Sequence, residues 1–404
     1  MQVQVRSKSG VRRFQARLEQ SGRSFLVLEQ HRTAKRWKFW RPRQREELYQ
    51  FLAGRKSAPQ LQDGPARLIL EAESDDFRGA TATLAMDLSV RTTPPQLSVE
   101  PGQHYINQGG SEMAVFHVGP EVVEAGVRTG PHEFRSWPLP GATPGTRFAF
   151  FAYSYDLPPR LTPLGFARDE AGNEATATFW FRVFPKEFRS RDLDLTKDFL
   201  EKVTQDIYSH TPQLARSGDL LADFLKINGA LRREDNRRLA DLRFDTEEKF
   251  LWREPFRQLA DSQVEAHFAD HRRYFYQGKK VDEQDHLGFD LAVTANVPVL
   301  AANDGRVVFA GYLGIYGNCV VIDHGYGLQS IYGHLSSVAV KAGDRVQQGR
   351  EMGRSGSTGL AGGDHLHFSM QVDGVTVNPT EWWDQHWIRD RILARFPEEK
   401  LPGS

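Results

Sequence analysis

The stretch His286-Leu287-Gly288-Phe289-Asp290 predicts the fold of the last third of the chain. If this stretch is a strand, alternate side chains share a face, so His286 and Asp290 point the same way. A helix would also align these two residues, but Gly288 and the later Pro298 favour strand and loop. We therefore expect a glycine-rich β segment here, and we expect it to carry nearly all of the candidate chemistry.

Two further histidine motifs follow in the same segment, Tyr332-Gly333-His334-Leu335 and His365-Leu366-His367-Phe368. In the second motif, alternation places both imidazoles on one face of a strand and both apolar side chains on the other. Together the three motifs supply three candidate metal ligands and two spare imidazoles. A catalytic zinc site uses three His or carboxylate ligands and keeps a fourth position open for water.

Each motif alone is a weak signal. A single strand histidine such as His334 is more often a structural residue than a catalyst, and His-x-His or His-x-x-x-Asp alone is weak evidence for a metal. All three motifs occur between residues 286 and 367, in a glycine-rich segment, which is improbable by chance. Their joint occurrence therefore predicts a metal site.

In this order, His286-x-x-x-Asp290, Tyr332-x-His334 and His365-x-His367 resemble the signature of the lysostaphin-type (M23) metallopeptidases. Sequences that accompany the signature in that family also surround it here, at residues 303–307, 317–325 and 353–359. The resemblance covers about the last third of the chain. It implies a mostly antiparallel β domain with a groove and a zinc ion at its floor.

The resemblance also assigns roles to single residues. It implies that His286, Asp290 and His367 bind Zn²⁺, and that His334 and His365 are the catalytic histidines. The chain has no His-Glu-x-x-His helix to supply a carboxylate base. Proton transfer and oxyanion stabilisation therefore fall to the two unligated imidazoles, and the sequence leaves open which does which.

Several nearby positions need separate interpretations. Tyr332 either faces the same cleft or is a buried core residue. The family often has glutamate after His-x-His-Phe, whereas Ser369 stands here, so we expect changed contacts around the ligands rather than lost activity. His267 and His271 have ligand-like spacing but no third partner, which favours a surface position. His324 resembles a structural turn of the family.

The first two segments are predicted to be β domains, a sandwich-like one over residues 1–92 and an immunoglobulin-like one over residues 93–186. A hairpin signal lies around Ser21-Gly22-Arg23, between two alternating stretches. The turn at residues 169–173 resembles the last hairpin of bacterial immunoglobulin-like domains. Neither segment has clustered residues suited to catalysis, so we expect spacers or partner-binding arms.

Residues 187–262 are predicted to be a helical linker region. Thr196 is a candidate N-cap for a helix that starts at Lys197. Gly229 costs about 1 kcal/mol relative to alanine in mid-helix, so the alternatives there are a continuous helix and a break. A peptidase domain over residues 263–390 and a tail over residues 391–404 complete a mainly β multidomain chain. This order resembles large envelope proteins with N-terminal immunoglobulin-like and helical segments.

Composition and charge exclude several classes of function. Lys plus Arg equals Asp plus Glu at 52 each, so no net field recruits nucleic acid. The single cysteine, Cys319, cannot form an intramolecular disulfide, and its strand setting indicates a packed thiol. No apolar stretch is long enough to span a bilayer, and residues 1–6 lack the apolar region of a signal peptide.

The family acts on peptide cross-links of peptidoglycan, which lie outside the cytoplasmic membrane. We therefore expect a zinc-dependent D,D-endopeptidase in the periplasm or cell envelope, with an export signal or membrane anchor removed from this chain. The expected partners are stem peptides at the site and envelope proteins at the N-terminal domains.

Three alternatives to this expectation stay open. The first is a catalytically idle envelope scaffold that activates other wall hydrolases. The second is an enzyme whose substrate is a non-wall protein. The third is a latent enzyme in which the helical segment or a sandwich occludes the groove, and equal activity of the full chain and of residues 263–404 would exclude it.

Overall fold

A computed structural model of the chain describes residues 1–33, 46–55 and 57–396. Residues 34–45 and 56 of the first predicted domain, and residues 397–404 of the predicted tail, lie outside the described residues. The chain divides into two compact units. The first comprises residues 1–95 and 168–175, and the second comprises residues 96–167 and 176–404.

Antiparallel strands form the first unit. They are β1 (Gln2–Arg6), β2 (Val11–Gln20), β3 (Arg23–His31), β4 (Glu46–Gln50), β5 (Gly64–Ser74) and β6 (Thr81–Val90). The main sheet has the order β3-β2-β5-β6, and β1 pairs with β4. Gln20 pairs with Arg23 across Ser21 and Gly22, whose φ values of 51° and 76° suit a two-residue hairpin turn. The predicted hairpin is therefore confirmed.

A second β region spans residues 97–184, most of which belong to the second unit. Its strands are β7 (Leu97–Val99), β8 (His104–Asn107), β9 (Ser111–Val118), β10 (Val122–Thr129), β11 (His132–Arg135), β12 (Trp137–Pro138), β13 (Thr146–Ala152), β14 (Leu164–Asp169), β15 (Glu174–Ala177) and β16 (Phe181–Phe184). They form sheets of order β12-β13-β9-β7 and β11-β10-β14-β15, and β16 pairs with β8. The mainly β class is confirmed, whereas the immunoglobulin-like description of both N-terminal segments stays a prediction.

A helical segment follows. It contains β17 (Ser190–Asp194), α1 (Lys197–His210), α2 (Leu220–Lys226) and α3 (Arg232–Asp241). Thr196 caps α1 by accepting a hydrogen bond from the Phe199 amide, which confirms the predicted N-cap. The helix does not break at Gly229, because a π-helical turn over Ile227–Leu231 joins α2 to α3. Strand β17 pairs in parallel with a strand of the next region, so this segment is more than a linker.

The C-terminal region is built on antiparallel strands. They are β18 (Gln263–Ala266), β19 (Asp270–Tyr276), β20 (Lys279–His286), β21 (Phe289–Ala292), β22 (Pro298–Leu300), β23 (Gly305–Tyr312), β24 (Asn318–Asp323), β25 (Leu328–Leu335), β26 (Ser337–Val338), β27 (Arg345–Val346), β28 (Glu351–Arg354), β29 (Leu366–Val372) and β30 (Val375–Val377). The large sheet has the order β18-β21-β29-β25-β24-β23-β27, with β30 on β29. Smaller sheets have the orders β17-β19-β20 and β22-β28-β26.

An aromatic cluster joins the β region at residues 96–167 to the C-terminal region. The ring of Tyr326 lies 4.9 Å from that of Phe148 and 4.7 Å from that of Phe250, between ring centroids. Buried Glu381 accepts hydrogen bonds from the Ser111 amide, at 2.7 Å, and from the Asn107 side chain, at 2.8 Å. This β region therefore shares its core with the C-terminal region, and its expected role as a spacer or partner-binding arm stays a prediction.

Short helices α4 (Thr380–Trp383) and α5 (Gln385–Trp387) close the described chain, followed by turns to residue 396. Residues 391–396 were predicted to begin a tail, but Ile392 and Phe396 are buried in the shared core. Apolar side chains at this spacing cover one face of the turns and pack inward. No helix among the described residues is long and apolar enough to cross a membrane.

Candidate metal centre and active site

Three adjoining strand ends bring the predicted metal ligands together. His286 ends β20, Asp290 lies in β21, and His367 lies in the neighbouring strand β29, directly opposite Asp290 in the register. Gly288 allows the strands to approach, because an added Cβ would lie 2.6 Å from Cε1 of His367. The glycine of the first motif therefore has a steric role beside the three candidate metal ligands.

The three candidate ligand atoms converge on one point. His286 Nε2 lies 2.9 Å from Asp290 Oδ1 and 3.0 Å from His367 Nδ1, and the last two atoms are 3.0 Å apart. All three side chains are buried. Donor atoms about 2.0–2.1 Å from a tetrahedral zinc are about 3.3 Å apart, so this set fits a small dication after a slight expansion.

Hydrogen bonds behind the ligands fix their tautomers. His286 Nδ1 lies 3.0 Å from the carbonyl oxygen of His267, which can only accept, so His286 carries its hydrogen on Nδ1 and its lone pair on Nε2. The Ser369 hydroxyl donates to the Leu287 carbonyl and therefore accepts from His367 Nε2 at 2.9 Å. Both neutral imidazoles thus aim a lone pair at the cluster, as a metal requires.

Arg272 holds the second carboxylate oxygen of Asp290. Its Nη2 donates to Asp290 Oδ2 at 2.6 Å, which leaves Oδ1 facing the two histidines. Burial opposes ionisation of Asp290, but His286 and the neighbouring imidazoles lower the pKa of the carboxyl well below its usual value. Burial lowers the pKa of His367 to about 4. Asp290 and His367 therefore favour the carboxylate and the neutral imidazole, which are the forms that bind a metal.

His334 and His365 lie beside the cluster, with ring centroids 4.8 Å apart. Each donates from Nδ1 to a backbone carbonyl, His334 to Thr358 at 2.8 Å and His365 to Gly363 at 2.9 Å. Nε2 is therefore the nitrogen that each ring turns away from these carbonyls, and Nε2 of His365 lies 3.4 Å from Asp290 Oδ1. Burial and the neighbouring imidazoles lower the pKa of His334 well below its usual value, whereas hydrogen bonding to Asp290 outweighs burial and raises that of His365.

The backbone of His334 is in the left-handed region, at φ 63°. Non-glycine residues adopt this conformation rarely and at a cost, and such residues cluster at functional sites. The side chain of His334 lines the same cavity as the metal cluster. Local strain therefore accompanies the placement of this imidazole.

A cavity of about 750 Å³ opens over the cluster. Its lining includes all five predicted site residues, Tyr316 beside them, and residues of β17, α1 and α3. The helices also hold the loops around the cavity: Asp206 of α1 accepts from the Tyr312 hydroxyl at 2.8 Å and from the Gly359 amide at 2.5 Å. The helical segment thus forms part of the groove wall, and its occlusion of the groove stays a hypothesis.

Four other residues singled out in the sequence lie in the core or form an ion pair. Tyr332 is buried, and its hydroxyl accepts from the Ala302 amide, so it is a core residue. His324 is buried and contacts the Asp304 carbonyl and the Ser330 hydroxyl, which is a structural role. His271 pairs with Asp285 at 2.8 Å, away from the ligands. Cys319 is buried, and burial raises the pKa of its thiol, as expected for a packed residue.

Sequence reasoning missed the residues that support the ligands. His267 acts through its backbone carbonyl, which no side-chain pattern reveals. Arg272 precedes the first motif by more than a dozen positions and meets Asp290 only through the pairing of β19 with β20. Only Ser369 gave a signal, because it departs from the family pattern.

Part of this region matches a known protein family. Residues 284–379 match peptidase family M23. The chain is 42% identical over 94 residues to the DD-carboxypeptidase/endopeptidase Mpg of Neisseria meningitidis serogroup B, covering 23% of this chain and 22% of that protein. It is 42% identical over 93 residues to the peptidoglycan DD-endopeptidase ShyA of Vibrio cholerae, covering 23% and 22%. The murein hydrolase activator EnvC of Escherichia coli K12 is 37% identical over 95 residues, covering 24% and 23%.

These alignments span less than a quarter of the length of each of these relatives. The similarity to these relatives therefore concerns about a quarter of this chain, and not the whole of any of these proteins. All five predicted site residues lie within the segment that matches the family. Residues 284–379 of this chain are a peptidase family M23 domain.

Proposed function

We propose that this chain is a zinc-dependent endopeptidase that hydrolyses peptide cross-links of bacterial peptidoglycan. The observation that carries the proposal is the convergence of His286 Nε2, Asp290 Oδ1 and His367 Nδ1 within 3.0 Å of one another. Two buried imidazoles and one carboxylate suit Zn²⁺, and the adjoining cavity leaves room for water and substrate. Zinc, when bound, polarises a carbonyl oxygen and activates water at neutral pH.

The protein's own groups supply orientation and proton transfer. Arg272 and Ser369 hold Asp290 and His367 in the geometry that a metal needs. His334 and His365 each present Nε2 for proton transfer, because Nδ1 is committed to a carbonyl, and Nε2 of His365 also lies 3.4 Å from Asp290 Oδ1. One of these imidazoles acts as general base toward water, and the other stabilises developing negative charge on the scissile carbonyl.

The substrate and location follow from the relatives. One of them is named a peptidoglycan DD-endopeptidase and another a DD-carboxypeptidase/endopeptidase, which favours a D,D-bond in the stem-peptide cross-link. Such a substrate lies outside the cytoplasmic membrane, so we propose that the protein works in the periplasm or cell envelope. Envelope proteins are the proposed partners of the N-terminal domains.

A second candidate is an activator of other wall hydrolases. The match to a protein named murein hydrolase activator favours it, because that protein is 37% identical to this chain over 95 residues. A catalytically idle activator has no need of three metal ligands and two further imidazoles around one cavity, so we prefer the enzyme. Zinc content separates the two, since an idle scaffold binds no stoichiometric zinc.

Digestion of purified cross-linked muropeptides tests the proposal. The full chain with Zn²⁺ is expected to convert dimers to monomers, as followed by mass spectrometry, and His367→Ala is expected to leave them intact. Absence of conversion by the zinc-loaded wild type would reject the enzymatic proposal. Mass analysis of the products also identifies the bond cleaved.

A further inference from the structure

Two arginines line the cavity of the metal cluster without a carboxylate partner. Arg191 lies in β17 and Arg232 begins α3, and both are half-buried. Across the residues that the structure describes, neither forms an ion pair, whereas the neighbouring Arg272 and Arg273 pair with Asp290 and Asp192. A half-buried guanidinium whose direct partners are all neutral has lost solvation without gaining a direct ion pair.

The guanidinium of Arg232 is held in a fixed position. Nη2 donates to Asn228 Oδ1 at 2.7 Å, and Nε lies 3.2 Å from both Asn228 Oδ1 and the Asn228 carbonyl oxygen. Asn228 is fully buried and is fixed in turn by donating to Asp282 Oδ2 at 2.7 Å. Nη1 of Arg232 has no hydrogen-bond partner within the described ranges.

The π-helical turn at Ile227–Leu231 makes this arrangement possible. The Arg232 amide bonds to the carbonyls of Ile227 and Gly229 rather than to that of Asn228, so the Asn228 carbonyl is available to the Arg232 side chain. Such turns occur frequently at functional sites, where they redirect side chains. The helix thus continues through Gly229 as a π-helical turn, and this turn positions Arg232 at the cavity.

Arg191 approaches the same cavity from β17. Its Nη1 donates to the backbone carbonyl of Glu265 at 2.7 Å, which leaves its other nitrogens for a ligand. Carboxylates of Asp194 and Glu265 also line the cavity, but both residues are exposed and neither pairs with these arginines in the described part of the chain. The half-buried charge on this wall is therefore positive.

We propose that Arg232, assisted by Arg191, forms a subsite that binds a carboxylate of the peptide substrate and so selects acidic over amidated peptides. Guanidinium binds carboxylate through two parallel N–H···O bonds, which makes it selective for that group. The choice of peptide rests on the proposed function, because a cross-linked stem peptide carries free carboxylates. The inference adds a specificity determinant contributed by the helical segment, outside the matched family domain.

Binding of two matched peptides tests this inference without turnover. The probes are a fluorescently labelled cross-linked stem-peptide dimer with free carboxylates and the same dimer with those groups converted to carboxamides. Their affinities are measured by anisotropy with the full zinc-loaded chain carrying His334→Ala, which keeps the metal ligands. We expect the carboxylate form to bind at least about tenfold more tightly, as for loss of one charge-assisted hydrogen bond.

Variants at two arginines assign the preference. Arg232→Gln is expected to reduce the ratio of the two affinities to about 1–2, and Arg232→Lys to restore part of it, since lysine keeps the charge but not the fork. The control Arg273→Gln, whose partner is Asp192 outside the cavity, should keep the full ratio. Equal binding of both forms, no binding of either form, or an unchanged ratio in Arg232→Gln would overturn the inference.

These binding experiments distinguish failure of the carboxylate subsite from failure of the proposed hydrolase. A preference that depends on Arg232, in a chain whose wild type cleaves neither peptide, supports the subsite and rejects the hydrolase. Cleavage of both peptides at equal affinity rejects the subsite and leaves the hydrolase intact.

Discussion

The hydroxyl of Ser369 accepts a hydrogen bond from Nε2 of His367 at 2.9 Å while donating its own hydrogen to the Leu287 carbonyl at 2.7 Å. This relationship fixes the imidazole with Nδ1 toward Asp290 and His286. The family often has glutamate at this position, and the serine supplies an acceptor through a shorter side chain. The expected change in contacts thus preserves the support of a metal ligand.

Ser369→Ala is expected to weaken zinc binding. Without its acceptor, the N–H of His367 is left unsatisfied in a buried site, and the ring loses its fixed orientation. Loss of such a supporting partner typically lowers metal affinity about 10–100-fold. Competition with a chromogenic chelator measures the change in zinc affinity. Ser336→Ala, at an exposed serine, serves as control. Equal zinc affinity of the two variants would show that Ser369 does not support the ligand.

Gly288→Ala is expected to disturb the metal centre by steric overlap. The new Cβ would approach Cε1 of His367 to 2.6 Å, well inside van der Waals contact, so the ring or the strand must move. Overpacking of this kind costs about 1–3 kcal/mol. We expect lower zinc affinity and a lower unfolding temperature. Gly363→Ala, at an open position on the cavity loop, is the matched control. A Gly288→Ala protein with wild-type zinc affinity contradicts the steric role.

Asp206→Ala is expected to destabilise the groove walls. Its carboxylate accepts from both the Tyr312 hydroxyl, at the end of β23, and the Gly359 amide, in a loop of the cavity wall. Leaving such donors unpaired costs about 1–3 kcal/mol, and denaturant unfolding monitored by fluorescence measures the loss. The exposed neighbour Gln205→Ala should change stability little. Identical midpoints for the two variants would mean that α1 does not hold these loops.

Asp235→Asn is expected to remove a pH dependence of stability. Burial raises the pKa of Asp235 to about 6, while its carboxylate accepts from the Ile315 amide at 2.9 Å. Because the folded pKa lies above the unfolded value near 4, the folded state favours the protonated form, and its stability falls as pH rises from about 4 to about 6.

The size of the effect follows from the shift. Two pKa units correspond to roughly 3 kcal/mol as an upper bound, which Asp235→Asn should abolish because the amide is neutral and keeps an acceptor oxygen. Free energies of unfolding across pH 4–7 measure it, with exposed Glu234→Gln as control. Parallel curves for wild type and Asp235→Asn would exclude this contribution.

The sequence predicted that three candidate ligands share one site, because the alternation along each strand is a short-range pattern. Their role as metal ligands stays a proposal. The joint occurrence of the motifs was enough to predict the grouping of His286, Asp290 and His367. The Ser21-Gly22 hairpin and the Thr196 cap were equally predictable, since turn and cap chemistry is written in a few adjacent residues.

Long-range packing was not predictable in the same way. Phe148 and Tyr326 lie in one core because two β regions pack against each other. The sequence pattern of one region does not specify the surface of the other. The same holds for Arg272, which reaches Asp290 through strand pairing, and for Arg232, whose direction is set by a π turn. The sequence therefore did not reveal that residues 96–167 share a core with the C-terminal region.

The most direct test of the central claim measures zinc content and muropeptide cleavage on the same preparations of wild type, His367→Ala and His334→Ala. We predict stoichiometric zinc and dimer-to-monomer conversion for the wild type, loss of both for His367→Ala, and retained zinc without conversion for His334→Ala. Stoichiometric zinc or continued cleavage in His367→Ala, or full activity of His334→Ala, would contradict the assignment of His367 to the metal and of His334 to catalysis.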